Sequence, residues 1–127
     1  MAGLILDSDA LLALINKSDV HHESIVNRIL QSEAKLSISV VTFSEAMVRP
    51  FEVNQSAVVI AQINSRISEI FDVTQPIAIR AALMRATSKI KLPDALIAST
   101  AIEKGLTLLT FDEKLAKRVP GAELLVS

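Results

Sequence analysis

The sequence predicts an α/β fold in which a parallel β-sheet is covered by helices on both faces. Three observations lead to this prediction. An all-apolar run, Leu4-Ile-Leu6, stops abruptly at Asp7, as expected of a strand that is buried on both faces. Strand-like segments then alternate with segments of helical periodicity along the chain. The connections between strands are long enough for the crossovers that parallel strands require.

The first predicted helices begin at side chains that cap their amino ends. Ser8 is the expected N-cap of a helix over residues 9–15. The pattern Thr42-Phe-Ser-Glu45 matches a capping box and opens a helix to about residue 51, which Pro50 ends or bends. Both helices are therefore expected to start within two residues of a strand end.

Proline and glycine mark the helices of the second half. Thr74-Gln-Pro76 is a capped start that leads a helix to about residue 88. Leu92-Pro93 starts a helix over residues 94–104, which Gly105 closes. The other helices are predicted at residues 20–31, 55–67 and 112–118, and the later strands at residues 35–41, 69–73, 106–110 and 123–126. Together these elements predict a three-layer α/β/α sandwich.

The composition indicates one domain with an aliphatic core. The chain of 127 residues is long enough for a single domain, residues 1–127, and too short for two. Half of the residues are hydrophobic but only 3% are aromatic, so the core is expected to consist of Leu, Ile, Val and Ala. The mean hydropathy of +0.44 is high for a soluble monomer. We therefore expect a second copy or another chain to cover some apolar surface.

Several protein classes are excluded by what the sequence lacks. The formal net charge of -1 excludes a globally basic nucleic-acid binder. The absence of cysteine excludes disulfides and thiolate sites and fits a reducing cytoplasm. Because the only glycines are Gly3, Gly105 and Gly121, there is no P-loop, dinucleotide fingerprint or G-x-S-x-G elbow. The short apolar runs and the amino end fit neither a membrane span nor a signal peptide, so we expect a soluble cytoplasmic protein.

Four acids occupy comparable places in this pattern. Asp7 ends the first strand and Glu45 follows the second, whereas Asp94 starts a helix and Asp112 follows the fourth strand. If these strands are neighbours, the four carboxylates meet at one edge of the sheet. Their mutual repulsion then requires a cation, and oxygen-only ligands suit Mg²⁺ or Mn²⁺. Metals held in this way polarise a phosphoryl oxygen and activate water, as in metal-dependent nucleases.

Three of these acids also have a purely structural explanation. Glu45 would be the third residue of its capping box, and Asp94 and Asp112 would suit helix starts. Each such effect is worth about 0.3–2 kcal/mol. Asp7 has no such explanation at the end of a strand, so the four acids together favour a site.

A basic stretch precedes Asp94. The segment between Val73 and Pro93 contains no acid, and its basic residues are Arg80, Arg85, Lys89 and Lys91. Beside an acidic metal centre, such residues would hold the backbone of a nucleic acid. The alternative explanation is a solvated helix face.

The other polar residues near the acids have weaker assignments. Ser8 and Thr110 would orient a carboxylate or water, although a cap or turn role explains them equally well. The segment His21-His22-Glu23 has the composition of a metal cluster, but adjacent residues diverge on a helix, which favours a surface helix start. Asp72, at the end of the third strand, competes with the four acids for a place in the site.

These residues form four short motifs whose order and spacing are specific. They are Leu4-Ile-Leu-Asp7-Ser8, Ser39-Val-Val-Thr-Phe-Ser-Glu45, Leu92-Pro-Asp94-Ala-Leu-Ile-Ala98 and Leu108-Leu-Thr110-Phe-Asp112. With them the chain resembles the PIN-domain ribonucleases, and among these the VapC-like toxins of toxin–antitoxin pairs, over essentially its whole length. Asp9 departs from the family pattern, which usually has a small polar residue there; we interpret it as favouring the helix start rather than joining the site.

The resemblance implies a five-stranded parallel sheet in the order 3-2-1-4-5. It also implies an endoribonuclease that cleaves single-stranded or structured RNA, forms homodimers and is silenced by a small antitoxin. The residues implied to hold Mg²⁺ or Mn²⁺ are Asp7, Glu45, Asp94 and Asp112, with Ser8 and Thr110 as polar support.

Two other hypotheses remain open from the sequence. Leu4-Ile-Leu-Asp7-Ser-Asp9 also resembles the first motif of haloacid-dehalogenase-type phosphatases, in which the first Asp is the nucleophile. The chain lacks other features of that family, such as a glycine soon after the second Asp. The remaining alternative is a non-catalytic module that only binds RNA or a protein.

Overall fold

Five parallel strands form the sheet of the computed structural model, which describes residues 3–126. They are β1 (Leu4–Leu6), β2 (Leu36–Ser39), β3 (Glu69–Phe71), β4 (Thr107–Thr110) and β5 (Glu123–Leu124). Their order across the sheet is β3-β2-β1-β4-β5, which confirms both the α/β fold and the strand order that the resemblance implied. Met1, Ala2 and Ser127, which the single-domain prediction includes, lie outside the described residues.

Helices cover both faces of the sheet. They are α1 (Ser8–Ile15), α2 (His22–Leu30), α3 (Val40–Glu52), α4 (Ser56–Arg66), α5 (Gln75–Ser88), α6 (Leu92–Lys104) and α7 (Glu113–Arg118). Leu4 and Leu6 of β1 pack in one buried cluster with residues of α1 to α4, whereas Ile5 packs in a second cluster with residues of α5 to α7. Within residues 3–126, no helix has the length and apolar character needed to cross a membrane.

The central strand β1 determines where the sheet presents its polar side chains. It pairs with β2 on one side and β4 on the other, so that Leu6 lies opposite Ile38 and Leu109. Because the three strands run in the same direction, their carboxyl ends lie at one edge of the sheet. Asp7 follows the last residue of β1, and Thr110 is the last residue of β4. The two residues therefore lie side by side at that edge.

The structure begins α3 at Val40, two residues before the predicted start at Thr42. The Ser39 hydroxyl accepts the Val41 N–H at 3.0 Å and caps the helix there. This local bond ends β2 two residues early, although β-branched residues favour a strand. The capping-box prediction was therefore wrong. Glu45 lies in the second turn of α3, so capping does not explain its presence.

The first helix also has a different cap from the predicted one. Asp7, and not Ser8, is the N-cap of α1, because its Oδ1 accepts the Ala10 N–H at 2.9 Å. The expectation that a strand-end acid has no capping role was thus wrong. The other predicted elements are present with ends that differ by one or two residues, and α3 continues through Pro50 to its end.

The Ser39 cap gives a test of where α3 begins. We expect Ser39→Ala to lower the free energy of unfolding by about 1 kcal/mol, because the Val41 N–H loses its acceptor. Ser44→Ala is the matched control at an exposed position of the same helix, where alanine is neutral or slightly stabilising. Urea unfolding measures both variants. Equal stability of the two variants would show that Ser39 does not cap the helix.

Candidate active site

Asp7 is the most buried acid at the carboxyl edge of the sheet. Its side chain is only 5% exposed. Oδ1 accepts the Ala10 N–H at 2.9 Å, and Oδ2 accepts the Thr110 hydroxyl at 2.5 Å. Burial raises the pKa of Asp7 from 3.8 to about 6 against these two hydrogen bonds, and the nearby charges of Asp9 and Asp94 raise it further. Burial therefore disfavours the charged form of Asp7 relative to that of an exposed carboxylate.

Asp94 lies in the first turn of α6, where it faces other acids. It is partly buried, and burial raises its pKa above the ordinary value. The charges of Glu45 and Asp112 raise the pKa of Asp94 in addition, whereas the Lys91 ammonium opposes the effect. The carboxylates of Glu45 and Asp112 therefore disfavour the charged form of Asp94.

Glu45 and Asp112 complete the group. The Ser8 hydroxyl donates to Glu45 Oε1 at 2.5 Å, which links α1 to α3. Asp112 caps α7 by accepting the Leu115 N–H at 3.0 Å. The Asp112 N–H in turn donates to the Thr110 Oγ1 at 3.0 Å, so the Thr110 hydroxyl group connects two of the acids.

All four acids that the sequence singled out line one pocket of about 220 Å³. It lies at the carboxyl edge of the sheet, where ligands bind in open α/β folds. The lining residues are Asp7, Ser8, Asp9, Glu45, Lys91, Pro93, Asp94, Asp112 and Leu115. We call it the carboxylate pocket. It brings together side chains from four separate stretches of the sequence.

The carboxylate pocket has the donor chemistry of a hard cation site, because its acids offer only oxygen atoms. As the side chains stand, no three acidic or histidine residues of the described chain are arranged so that they could hold one ion together. Asp7, Glu45 and Asp112 are instead turned towards internal hydrogen bonds. An ion that uses several of these carboxylates would require them to turn from those partners.

The remaining candidates for the site are placed differently. Asp9 is exposed in the first turn of α1, as expected, and it also lines the carboxylate pocket. Asp72 is exposed beyond β3 and is not among the residues that line this pocket. His22 begins α2, and its Nδ1 bonds to the Ala13 carbonyl oxygen, whereas His21 stacks on Phe111. These contacts agree with the predicted helix start.

The basic residues divide into two groups. Arg80 forms an ion pair with Glu103 at 2.8 Å, and Arg85 donates to the carbonyl oxygens of Lys89 and Ile90. Neither arginine lines the carboxylate pocket. The basic residues that line an adjoining pocket are Lys89, Lys91, Lys114 and Arg118. This adjoining pocket shares Asp94, Asp112 and Lys91 with the first, so the positive and negative surfaces meet.

The sequence analysis did not identify Lys114 and Arg118 as basic residues near the acids, because only the basic stretch before Asp94 was considered. The signal was present, since the two residues are four apart on the short helix that Asp112 opens and so share one face. The stack of His21 on Phe111 was also missed. It joins residues 90 positions apart, and no local pattern indicates such a contact.

The chain was compared with known families and structures. The family model described as PIN domain matches residues 4–121. A search of curated protein sequences found no significant match. Similar solved structures include a toxin–antitoxin complex from Klebsiella pneumoniae, with 26% identity, a TM-score of 0.81 and coverage of 95% of this chain and 96% of that chain.

Two further structures share the fold. VapBC2 from Rickettsia felis, bound to a promoter DNA fragment, has 24% identity, a TM-score of 0.76 and coverage of 97% of this chain and 98% of that one. VapC20 from Mycobacterium tuberculosis, described as a toxin that cleaves the sarcin–ricin loop, has 17% identity and a TM-score of 0.76. Coverage there is 98% of this chain and 100% of the other.

Burial of Asp7 predicts a stability cost that depends on pH. The folded-state pKa of about 6 lies above the ordinary value of 3.8, so the folded protein binds the proton more tightly. Stability therefore falls as the pH rises from about 4 to about 6, and the penalty then stays near 3 kcal/mol. We expect Asp7→Asn, which retains an acceptor for the Ala10 N–H, to be more stable than the wild type above pH 6 by up to about this amount.

The matched control is Asp72→Asn, which removes the same charge from an exposed position. Urea unfolding at pH 4 and pH 7 measures all three proteins. The advantage of Asp7→Asn is expected to disappear near pH 4, and Asp72→Asn is expected to show no such dependence. An advantage that is equal at both pH values would contradict the burial argument.

Proposed function

Because this chain belongs to the PIN-domain family over residues 4–121, we propose that it is a metal-dependent endoribonuclease and the toxin of a toxin–antitoxin pair. One observation supports this most strongly: acids from four separate stretches of sequence line one pocket, and the charges of Glu45 and Asp112 raise the pKa of Asp94. Two of these acids are held by hydroxyl groups of neighbouring elements, which suggests a positioned set rather than a chance cluster.

The roles of the residues follow from their chemistry. Asp7, Glu45, Asp94 and Asp112 would hold Mg²⁺ or Mn²⁺, and Ser8 and Thr110 would orient two of these carboxylates. The ion, when bound, supplies Lewis acidity for hydrolysis of a phosphodiester. Lys91 reduces the repulsion at Asp94 and extends the positive surface towards the pocket.

The basic residues of the adjoining pocket would hold the RNA backbone. We assign this role first to Lys89, Lys91, Lys114 and Arg118, because they lie beside the carboxylate pocket. Arg80 and Arg85, which the sequence also suggested, do not line this pocket and contact Glu103 and backbone carbonyl oxygens instead. Arg118 also donates to the Ser88 carbonyl oxygen, at 3.0 Å, but it lines the pocket. Phosphates bound next to the acids would present one phosphodiester bond to them.

A small antitoxin protein and a second copy of the chain are the proposed partners. Similar solved structures include toxin–antitoxin complexes, which supports the first. The chain also exposes apolar side chains on α3 and α4, where Val48, Phe51 and Val58 are 60%, 64% and 55% exposed. An apolar surface of this kind is typical of a protein interface.

The haloacid-dehalogenase alternative has little support, because the family match is to the PIN domain. It predicts a beryllofluoride adduct on Asp7, which the nuclease does not form. The non-catalytic alternative predicts RNA or partner binding without cleavage, and without any response to divalent cations.

Cleavage of single-stranded RNA tests the proposed activity. We expect the wild type to cleave RNA with Mg²⁺ or Mn²⁺ and to lose activity when EDTA removes the ion. Asp7→Asn and Asp94→Asn are each expected to lower the rate by at least about a hundredfold, because each removes a ligand. Asp72→Asn is the matched control and is expected to retain activity.

Thermal unfolding gives a readout that is independent of activity. Mg²⁺ is expected to raise the melting temperature of the wild type and of Asp72→Asn, but much less that of Asp94→Asn. Full activity of Asp94→Asn, or cleavage that persists in EDTA, would refute a metal-dependent reaction. Intact RNA binding without cleavage in every condition would favour the non-catalytic module.

The salt dependence of RNA binding tests the assignment of the basic residues. In an Asp7→Asn background, Lys114→Gln is expected to reduce the slope of log affinity against log salt concentration by about 0.7, which corresponds to one lost phosphate contact on a single strand. Arg80→Gln is the control, since its guanidinium pairs with Glu103. Fluorescence anisotropy at several salt concentrations measures both. Equal slopes for Lys114→Gln and the parent would remove Lys114 from the RNA surface.

A further inference from the structure

A second cavity, of about 460 Å³, lies next to the carboxylate pocket. The two share Asp9 and Asp112 as lining residues, so they adjoin. The second cavity is also lined by the apolar residues Leu12 and Val20. Its three other lining residues are Asp19, His21 and Phe111. None of these three residues has a role in the proposed chemistry. We call this space the aromatic cavity.

The two rings form a stacked pair. Their centroids are 4.3 Å apart and the ring planes are inclined by 22°. Asp19 Oδ1 accepts the backbone N–H of His21 at 2.8 Å, which fixes the turn before α2. Phe111 lies between Thr110 and Asp112, which are joined by a hydrogen bond of 3.0 Å. Both rings are therefore carried by backbone segments that hydrogen bonds hold in place.

We propose that the aromatic cavity binds the base of a nucleotide next to the phosphate that is cleaved, with the base stacked against the pair of His21 and Phe111. This inference rests on the proposed ribonuclease function and specifies how its substrate is selected. Stacking on aromatic side chains is the usual way in which proteins hold an unpaired base. Because Asp9 and Asp112 line both pockets, a base in the aromatic cavity would lie next to the acids proposed to act on its phosphate.

The charges of the aromatic cavity select among the four bases. The carboxylates of Asp9, Asp19 and Asp112 line it and accept hydrogen bonds. Guanine is the base that best matches them, because its neighbouring N1–H and N2–H₂ groups donate to one carboxylate at the same time. Uracil offers one donor between two carbonyl oxygens, which these carboxylates repel. The cavity therefore favours guanine over uracil.

An arginine side chain of a protein partner would also suit an aromatic face and carboxylates. Two features favour the base. The cavity is much larger than a guanidinium group requires, and it shares two of its lining residues, Asp9 and Asp112, with the proposed catalytic pocket. The arginine alternative is therefore kept as an outcome of the test.

Binding of defined oligonucleotides tests the base subsite. The parent is Asp7→Asn, because Asp7 does not line the aromatic cavity and the variant is expected to cleave RNA at least about a hundredfold more slowly. The probes are labelled uridine octamers that contain one central guanosine, one central abasic site or only uridine. We expect the parent to prefer the guanosine probe, and His21→Ala to lower that affinity by roughly fivefold to a hundredfold, to the level of the abasic probe.

Two matched variants separate stacking from a structural effect. His21→Phe keeps an aromatic ring and is expected to retain the affinity. His22→Ala removes the neighbouring histidine, whose ring bonds to the Ala13 carbonyl oxygen outside the aromatic cavity, and is expected to leave the preference for guanosine unchanged. Thermal melting confirms that each variant is folded at the temperature of the assay.

Each outcome decides between the hypotheses. The base subsite is refuted if His21→Ala binds all probes as the parent does, or if the parent binds none of them. Unchanged RNA affinity together with weakened binding of an arginine-rich peptide would assign the cavity to a protein partner. Cleavage by the otherwise wild-type chain is measured in parallel: activity without dependence on His21 refutes the subsite alone, whereas binding that depends on His21 without cleavage refutes the nuclease alone.

Discussion

Accumulation of negative charge at one edge of the sheet is the constraint on which the rest of this structure depends. Asp7 is buried there with a pKa of about 6, and Asp94 is repelled by three further acids, Glu45, Asp112 and Asp9. Such an arrangement opposes folding, and the protein offsets part of it locally. The Ala10 N–H and the Thr110 hydroxyl bind Asp7, and Lys91 lies beside Asp94. A domain that keeps charges together at this cost is expected to use them.

The parallel sheet is what brings these charges together. Parallel strands with crossover helices place every carboxyl end at the same edge, and the order β3-β2-β1-β4-β5 makes β1 the neighbour of both β2 and β4. Acids that are distant in sequence then become neighbours without any long irregular loop. The helices on the two faces supply the core that holds the sheet together.

Much of this could be predicted from the sequence, because the signals are local or follow from topology. The apolar run of β1 and the acids Asp7, Glu45, Asp94 and Asp112 were recognisable before the structure. The helix starts were less predictable. Both Ser39 and Thr42 are residue types that cap helices. Which of them is the N-cap of α3 depends on the residue at which β2 ends, and that residue is Ser39. The stack of His21 on Phe111 depends on how α2 packs near the end of β4, which no pattern of neighbouring residues encodes.

Asp7 serves two purposes with its two oxygen atoms, and this limits how the protein can change over evolution. Oδ1 holds the first turn of α1, whereas Oδ2 faces Thr110 in the carboxylate pocket. A descendant that no longer needs hydrolysis still needs an acceptor for the Ala10 N–H. Apart from Asp, the residues whose side chains accept such an N–H well at an N-cap are Asn, Ser and Thr. Inactive descendants are therefore expected to carry a short polar side chain at this position, and an alanine there would mark a lineage in which the start of the first helix has been rebuilt.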